Sequence, residues 1–227
     1  MYVPRYFRQD DPATIRAAIR AARLGSLVTQ HDGELFASHV PMLLEDEPAP
    51  HGRLIAHLAR ANKQWKAIGA GTRALVIFHG PDAYVTPSFY ESKREHGKVV
   101  PTWDYIAIHA YGTIRVIEDA DRVLEIVTKL TNAHESRRAE PWAVDDAPAD
   151  YIASELRGIV GIEIAIERFD AKWKLSQNRE ERDFAGVRDG LAASADGGDR
   201  ALAHAIDRFT AESNGVAQAN EAPEKGI

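Results

Sequence analysis

The stretch from Ala74 to Ile117 reads ALVIFHGPDAYVTPSFYESKREHGKVVPTWDYIAIHAYGTIRVI, and its two apolar runs decide the fold class. Ala74 to His79 is a run of branched and aromatic residues of the kind that fills a buried strand. Gly80-Pro81-Asp82 predicts a turn before a second extended piece, Tyr84 to Thr86. Pro87 and Pro101 limit regular structure between them. From Thr102 to Val116 the residues alternate, so that Trp103, Tyr105, His109 and Tyr111 share one face and Ile106, Ile108, Ile114 and Val116 the other. One face is aliphatic core; the other is aromatic and polar.

Working outward, Asp11-Pro12 is a helix start, a capping carboxylate followed by proline, and Ile15, Ala18, Ile19 and Ala22 form an apolar stripe ending at Gly25. Arg16, Arg20 and Arg23 lie off that stripe, as a solvated face or as a contact for an anion such as DNA. Ser26 to Gln30 and Leu35 to Leu44 read as strands joined around His31-Asp32-Gly33, because Asp-Gly favours the positive φ of a tight hairpin. Pro41 places the second of these at an edge or bulge. Arg53 to His57 is strand-like and Ala59 to Ile68 helical, carrying Arg60, Asn62 and Lys63 at a junction that suits a phosphate or is simply an exposed, charged first turn. Gly69 to Ala74 matches a G-x-G-x-x-A pattern but follows a helix and precedes a strand, the wrong order for a dinucleotide fold, and reads as a turn.

Further on, Asp119 to Arg138 and Ala149 to Leu156 predict helices, Ile159 to Leu175 a strand, and Glu180 to Leu191 a helix. Domain organisation follows from composition: residues 1–194 form one domain, and 195–227 hold a helix from about Asp199 to Glu212 and a polar, disordered tail. The 227 residues include no cysteine, which excludes disulfides, and no run approaches the roughly 20 apolar residues of a membrane span. A cytoplasmic protein is expected. A net charge of -6 argues against a surface that is basic throughout.

Local signatures of common chemistry are missing. The nine histidines show no spacing that builds a local metal site, so no metal is expected, and there is no P-loop, G-x-S-x-G or H-E-x-x-H. No catalytic residue can be named from spacing. A β-rich core with an aromatic strand face and two polar strand-to-helix junctions instead suits a planar, phosphorylated cofactor, or an ordinary aromatic core.

Several segments in joint order then resemble the PaiB-type proteins, FMN-binding negative transcriptional regulators of the split-barrel flavin class. They are MYVP (1–4), HLARANKQW (57–65), GPDAYVTPSFY (80–90), VPTWDY (100–105), HAYG (109–112) and WKLSQNR (173–179). The resemblance covers residues 1 to about 192. It implies a β-rich α+β fold, an FMN-binding split barrel of six or so strands with peripheral helices, and a homodimer with FMN at the subunit interface. It further implies that Arg60, Asn62 and Lys63 hold the phosphate, with His57 nearby and Ser38, His39, Val40 and Pro41 beside the isoalloxazine. The second subunit would contribute Trp103, Lys174, Gln177, Asn178 and Arg179. The chain departs from the pattern at Phe89 and Asp104, where the family leads one to expect Trp and Asn; an ionised Asp cannot donate as an Asn amide does. The function implied is negative transcriptional regulation. The alternatives are a flavin oxidoreductase using a nicotinamide or deazaflavin donor, and a haem-binding split barrel.

Overall fold

The computed structural model describes residues 1–48 and 50–220. In chain order its first elements are α1 (Pro12–Ala22), β1 (Leu24–His31), β2 (Glu34–Pro41), β3 (Leu43–Glu45), β4 (Arg53–Ala59) and β5 (Arg73–Val85). There follow α2 (Ser92–His96), β6 (Thr102–Ile117), α3 (Ala120–Glu135), α4 (Ala149–Leu156), β7 (Ile159–Lys174), α5 (Glu181–Ala192) and α6 (Gly197–Asn220). The strands form a seven-stranded sheet in the order β2-β1-β5-β6-β7-β4-β3. The chain divides into two compact units, one of Met1, Gln9–His79 and Ala107–Ala171, the other of Tyr2–Arg8, Gly80–Ile106 and the chain from Lys172 onward.

In the first unit Asp11 caps α1, its carboxylate accepting from the Thr14 amide at 2.8 Å, and Ile15 and Ile19 are buried one turn apart. The β1–β2 hairpin turns at Asp32 and Gly33 with φ of 50° and 84°, both in the region the tight turn requires. It pairs in antiparallel register from Leu24 opposite Pro41 to His31 opposite Glu34. The two sheet edges, β2 and β3, are separated by Met42 alone, so the sheet must curl until its edges meet. Over it packs α3, started by Asp119, whose Val123, Ile126 and Leu130 join Ile55 and Ile117 in one apolar cluster. Each such side chain contributes about 1.5–3 kcal/mol by leaving water. Glu45 ties β3 to β4 and α3, accepting from Arg53 Nε at 2.5 Å and Lys129 Nζ at 2.6 Å. Burial opposes its ionisation, but Lys129 and Arg53 outweigh it and hold the carboxyl below the usual glutamate range.

In the second unit α5 docks on the turn Pro87–Phe89. The Phe89 ring and carbonyl occupy the places where Gly190 and Gly186 would carry a Cβ. Buried Asp183 of α5 accepts from the Ser92 amide at 3.0 Å and its hydroxyl at 2.6 Å. The sequence-predicted C-terminal helix is present, longer at both ends, and buries Leu202, Ala203, Ala205 and Ile206. The disorder expected after Glu212 gives way to helix up to Asn220; residues 221–227 lie outside the described residues.

The strand parity expected for β6 is observed: Ile106, Ile108 and Ile114 are buried while Trp103 stands in solvent. Three expectations change. Gly80-Pro81-Asp82 is not a turn but part of continuous β5, and Gly80 is there because a Cβ would come within 2.8 Å of the Ile106 Cβ. The strand Leu35 to Leu44 is interrupted at Met42, where pairing passes from β1 to β4. The helix Ala59 to Ile68 shrinks to a five-residue 3-10 turn, Lys63–Ala67, because β4 runs on to Ala59.

Gly112 is a close-approach position, where a Cβ would lie 2.0 Å from the Ala165 carbonyl oxygen. Gly112→Ala should lower unfolding free energy by roughly 3 kcal/mol, since backbone rather than a side-chain tip must move. Urea denaturation of the variant measures the loss.

Candidate functional site

The first unit carries one group of the expected residues where β4 leaves the sheet. Asn62 caps the short 3-10 turn by accepting from the Gln64 amide at 2.9 Å, and donates to Ser38 Oγ of β2 at 2.9 Å. Gln64 is buried beneath it, its Nε2 within 3.1 Å of Thr29 Oγ1 and 3.3 Å of the Leu27 and Phe36 carbonyls. This clamp fixes the turn to β1 and β2. Of the remaining β2 residues, Val40 is buried, Pro41 is exposed, and His39 points outward with Nδ1 3.0 Å from Ser26 Oγ. Lys63 is exposed at the turn's start.

Arg60 does not join this group. Its guanidinium donates to Glu118 at 2.9 Å and to the Arg157 and Ile159 carbonyls at 3.1 and 3.3 Å, and its Cζ lies over the Trp65 ring, 5.6 Å from the centroid. The cause is β4 pairing with β7, which sets Ala59 opposite Ile159 and leaves Arg60 beside the α4–β7 link. The expected phosphate trio is therefore divided. His57 sits half-buried on β4 opposite Gly161, and burial holds its imidazole below the ordinary histidine value of 6.5. Two buried polar atoms of the first unit, His57 Nδ1 and Gln64 Oε1, have no hydrogen-bond partner among the described residues.

The second unit holds the other group, at the ends of β6 and β7. Trp103 is 55% exposed and meets Tyr84 edge-on with ring centroids 6.0 Å apart. Lys174 donates to Thr102 Oγ1 at 2.7 Å, to the Trp103 carbonyl, and to Asp104 at 3.1 Å. Arg179 lies over the buried Tyr90 ring at 4.7 Å, and Asn178 is exposed. Gln177 serves the backbone, accepting from the Leu175 amide at 2.7 Å and donating to the Trp173 and Tyr6 carbonyls at 2.6 and 3.0 Å.

Four residues that carry polar contacts here, Asp104, Ser176, Lys172 and Tyr105, are not among the expected site residues, although the sequence marks Asp104 as a departure from the family pattern. Asp104 is wholly buried and accepts from Ser176 Oγ at 2.6 Å as well as from Lys174. Burial raises its carboxyl above the usual aspartate range, against the lowering by Ser176 and Lys174. Two donors explain why Asp stands here: the acceptor-only group meets a hydroxyl and an ammonium. Ser176 reaches it from a left-handed backbone, φ 60°. Parity could have found Asp104, since it falls on the same face of β6 as Ile106 and Ile108. Lys172 and Tyr105 are the others: the buried ammonium donates to the Tyr105 hydroxyl at 2.7 Å and lies over the rings of Tyr105 and Tyr2.

Residues 1–168 match the family model described as "Putative FMN-binding domain". The chain belongs to this FMN-binding family. Among relatives, it is 36% identical over 187 residues to the protease synthase and sporulation protein PAI 2 of Bacillus subtilis, covering 82% of this chain and 87% of that one. Among solved structures, the FAD and haem binding protein of Mycobacterium smegmatis superposes with a TM-score of 0.57 at 18% identity, covering 78% of each chain. The conserved hypothetical protein Rv2991 of Mycobacterium tuberculosis superposes with a TM-score of 0.56 at 11% identity, covering 80% of this chain and 95% of that one. The family's fold is the β-rich α+β split barrel, and its cofactor is FMN. The donor set fits such a ligand: FMN offers carbonyl, imide and phosphate groups, and the first unit presents an exposed ammonium, an amide–hydroxyl pair and two unsatisfied buried atoms.

The lowered pKa of His57 has a thermodynamic consequence. The folded protein binds fewer protons there than the unfolded chain, so the contribution is present above pH 6.5 and is lost as pH falls through the folded value. Replacing His57 by Gln should flatten the fall in urea midpoint between about pH 7.5 and about pH 5; an unchanged pH profile would contradict it.

Proposed function

We propose that this chain is a homodimeric, cytoplasmic FMN protein acting as a negative transcriptional regulator, with FMN bound where two subunits meet. One subunit supplies Lys63, Asn62 and Ser38 to the phosphate and ribityl chain, with His57 and the β2 residues His39, Val40 and Pro41 along the ring system. The partner subunit's Trp103 covers the ring, and its Lys174, Asn178 and Arg179 add positive and polar groups. Arg60, paired with Glu118, acts on the phosphate only if it exchanges that partner. Residues 1–194 form the flavin domain in this reading. When bound, FMN supplies two-electron redox chemistry, and the protein orients it.

The observation that supports the interface is a set of exposed aromatics in the second unit: Tyr2 at 82%, Tyr6 at 75%, Trp103 at 55% and Tyr84 at 47%. Aromatic side chains left in water beside cations are the composition of an interface core. The regulatory part takes support from the Bacillus relative, whose name ties it to protease synthesis and sporulation. Direct DNA contact has narrower support, because Arg16 and Arg20 on the α1 face both pair with Asp46, at 3.3 and 2.7 Å. A second reading, a flavin oxidoreductase using a nicotinamide or deazaflavin donor, is favoured by the Lys172–Tyr105 pair. The ammonium donates to the tyrosine oxygen, so the hydroxyl proton is left to donate to a bound oxyanion.

The absorbance spectrum of the purified protein tests the flavin: a flavin band is expected, and a Soret band in its place would transfer the reading to haem. Lys63→Ala combined with Asn62→Ala should weaken FMN roughly tenfold, as expected for charge-assisted phosphate contacts. Trp103→Glu should convert the dimer to monomer in sedimentation. Salt-independent passage of operator-length DNA would count against direct binding.

A further inference from the structure

The first unit holds a cavity of about 820 Å³ among α3, α4 and the turn Val144–Asp146. Its size lies in the range of small-molecule sites, about 300–1,000 Å³. Val123, Leu124, Val144, Ile152, Leu156 and Ile159 make an apolar lining. Ile152 and Leu156 stand one turn apart on α4; Leu156 packs against the cluster of Ile55, Ile117, Val123, Ile126 and Leu130, yet the helix has no fully buried residue, so its apolar stripe is only partly covered and borders the cavity. The helix is amphipathic without a complete partner.

The polar rim has a definite charge. Three carboxylates, Glu118, Asp121 and Asp145, line it with two arginines, Arg60 and Arg157. Arg60 is committed to Glu118 at 2.9 Å, and Arg157 folds back on α4 to the Ala153 carbonyl at 3.2 Å and Ser154 Oγ at 3.0 Å. Asp121 and Asp145 are exposed carboxylates with no side-chain partner among the described residues. The surplus charge at the rim is negative. None of these residues except Arg60 belongs to the candidate flavin site.

We propose that this cavity binds a hydrophobic monoamine, its alkyl or aryl body against Leu124, Ile152 and Leu156 and its ammonium at Asp121 and Asp145. The site is separate from flavin binding and would give the protein a small-molecule input. Such a ligand completes the apolar face of α4 and neutralises the rim.

Calorimetric titration of the full chain with octylamine, octanol and octanoate tests this directly. These probes share a tail and differ in charge. Octylamine should bind roughly tenfold more tightly than octanol, and octanoate more weakly than either. The double substitution Asp121→Asn with Asp145→Asn, both at exposed positions, should bring octylamine to the octanol affinity. Leu156→Trp, which fills the cavity, should weaken all three probes. Octanoate binding tightest would assign the rim to Arg157 and overturn the proposal. So would an octylamine affinity unchanged in the double variant, or no binding of any probe.

Discussion

A single residue between two sheet edges constrains this fold more than any contact does. β2 and β3 stand at opposite ends of the strand order, yet only Met42 separates them in the chain. Consecutive Cα atoms are about 3.8 Å apart, so the two edges must come within about 8 Å of each other at that point. The curl of the sheet is thus imposed covalently. Met42 is buried there, and its amide donates to the Arg23 carbonyl at 2.8 Å, just where α1 ends with Arg23 at φ 58°. Closure also sets β2 beside the end of β4, the placement that lets Asn62 reach Ser38.

Much of this was readable before any coordinates. Period-two alternation placed both faces of β6, Asp-Gly located the first hairpin, and an Asp-Pro pair gave the start of α1. These are local signals, each arising from backbone geometry within a few residues. What local pattern misjudged was chain that tertiary contact redefines. Gly80-Pro81-Asp82 has turn composition, but its glycine answers the close approach of Ile106 across the ladder. The run Leu35 to Leu44 looks uniform, and only the change of partner at Met42 divides it.

The candidate site was legible in the same uneven way. Residue types and order drew attention to Asn62, Lys63, Trp103 and Lys174, but spacing cannot say where a long side chain goes. Arg60 is three residues from Lys63, and its guanidinium finds two carbonyls and Glu118 instead. Asp104 falls in a segment where the family resemblance implies a ligand contact. It is an interior carboxylate, holding Ser176 in a left-handed backbone and Lys174 at the end of β7. A buried, doubly hydrogen-bonded acid of this kind acts on a site through the strands it fixes.

The notch in which Phe89 rests has its own consequence. α5 carries glycine at 186 and 190, one turn apart on the face that meets Phe89. Each glycine within a helix costs about 1 kcal/mol relative to alanine, so α5 is a poor helix in isolation. Its helicity depends on docking. The segment should therefore assemble late, after the Pro87–Phe89 turn exists to receive it, and its amides should exchange with solvent through local opening well before the sheet does.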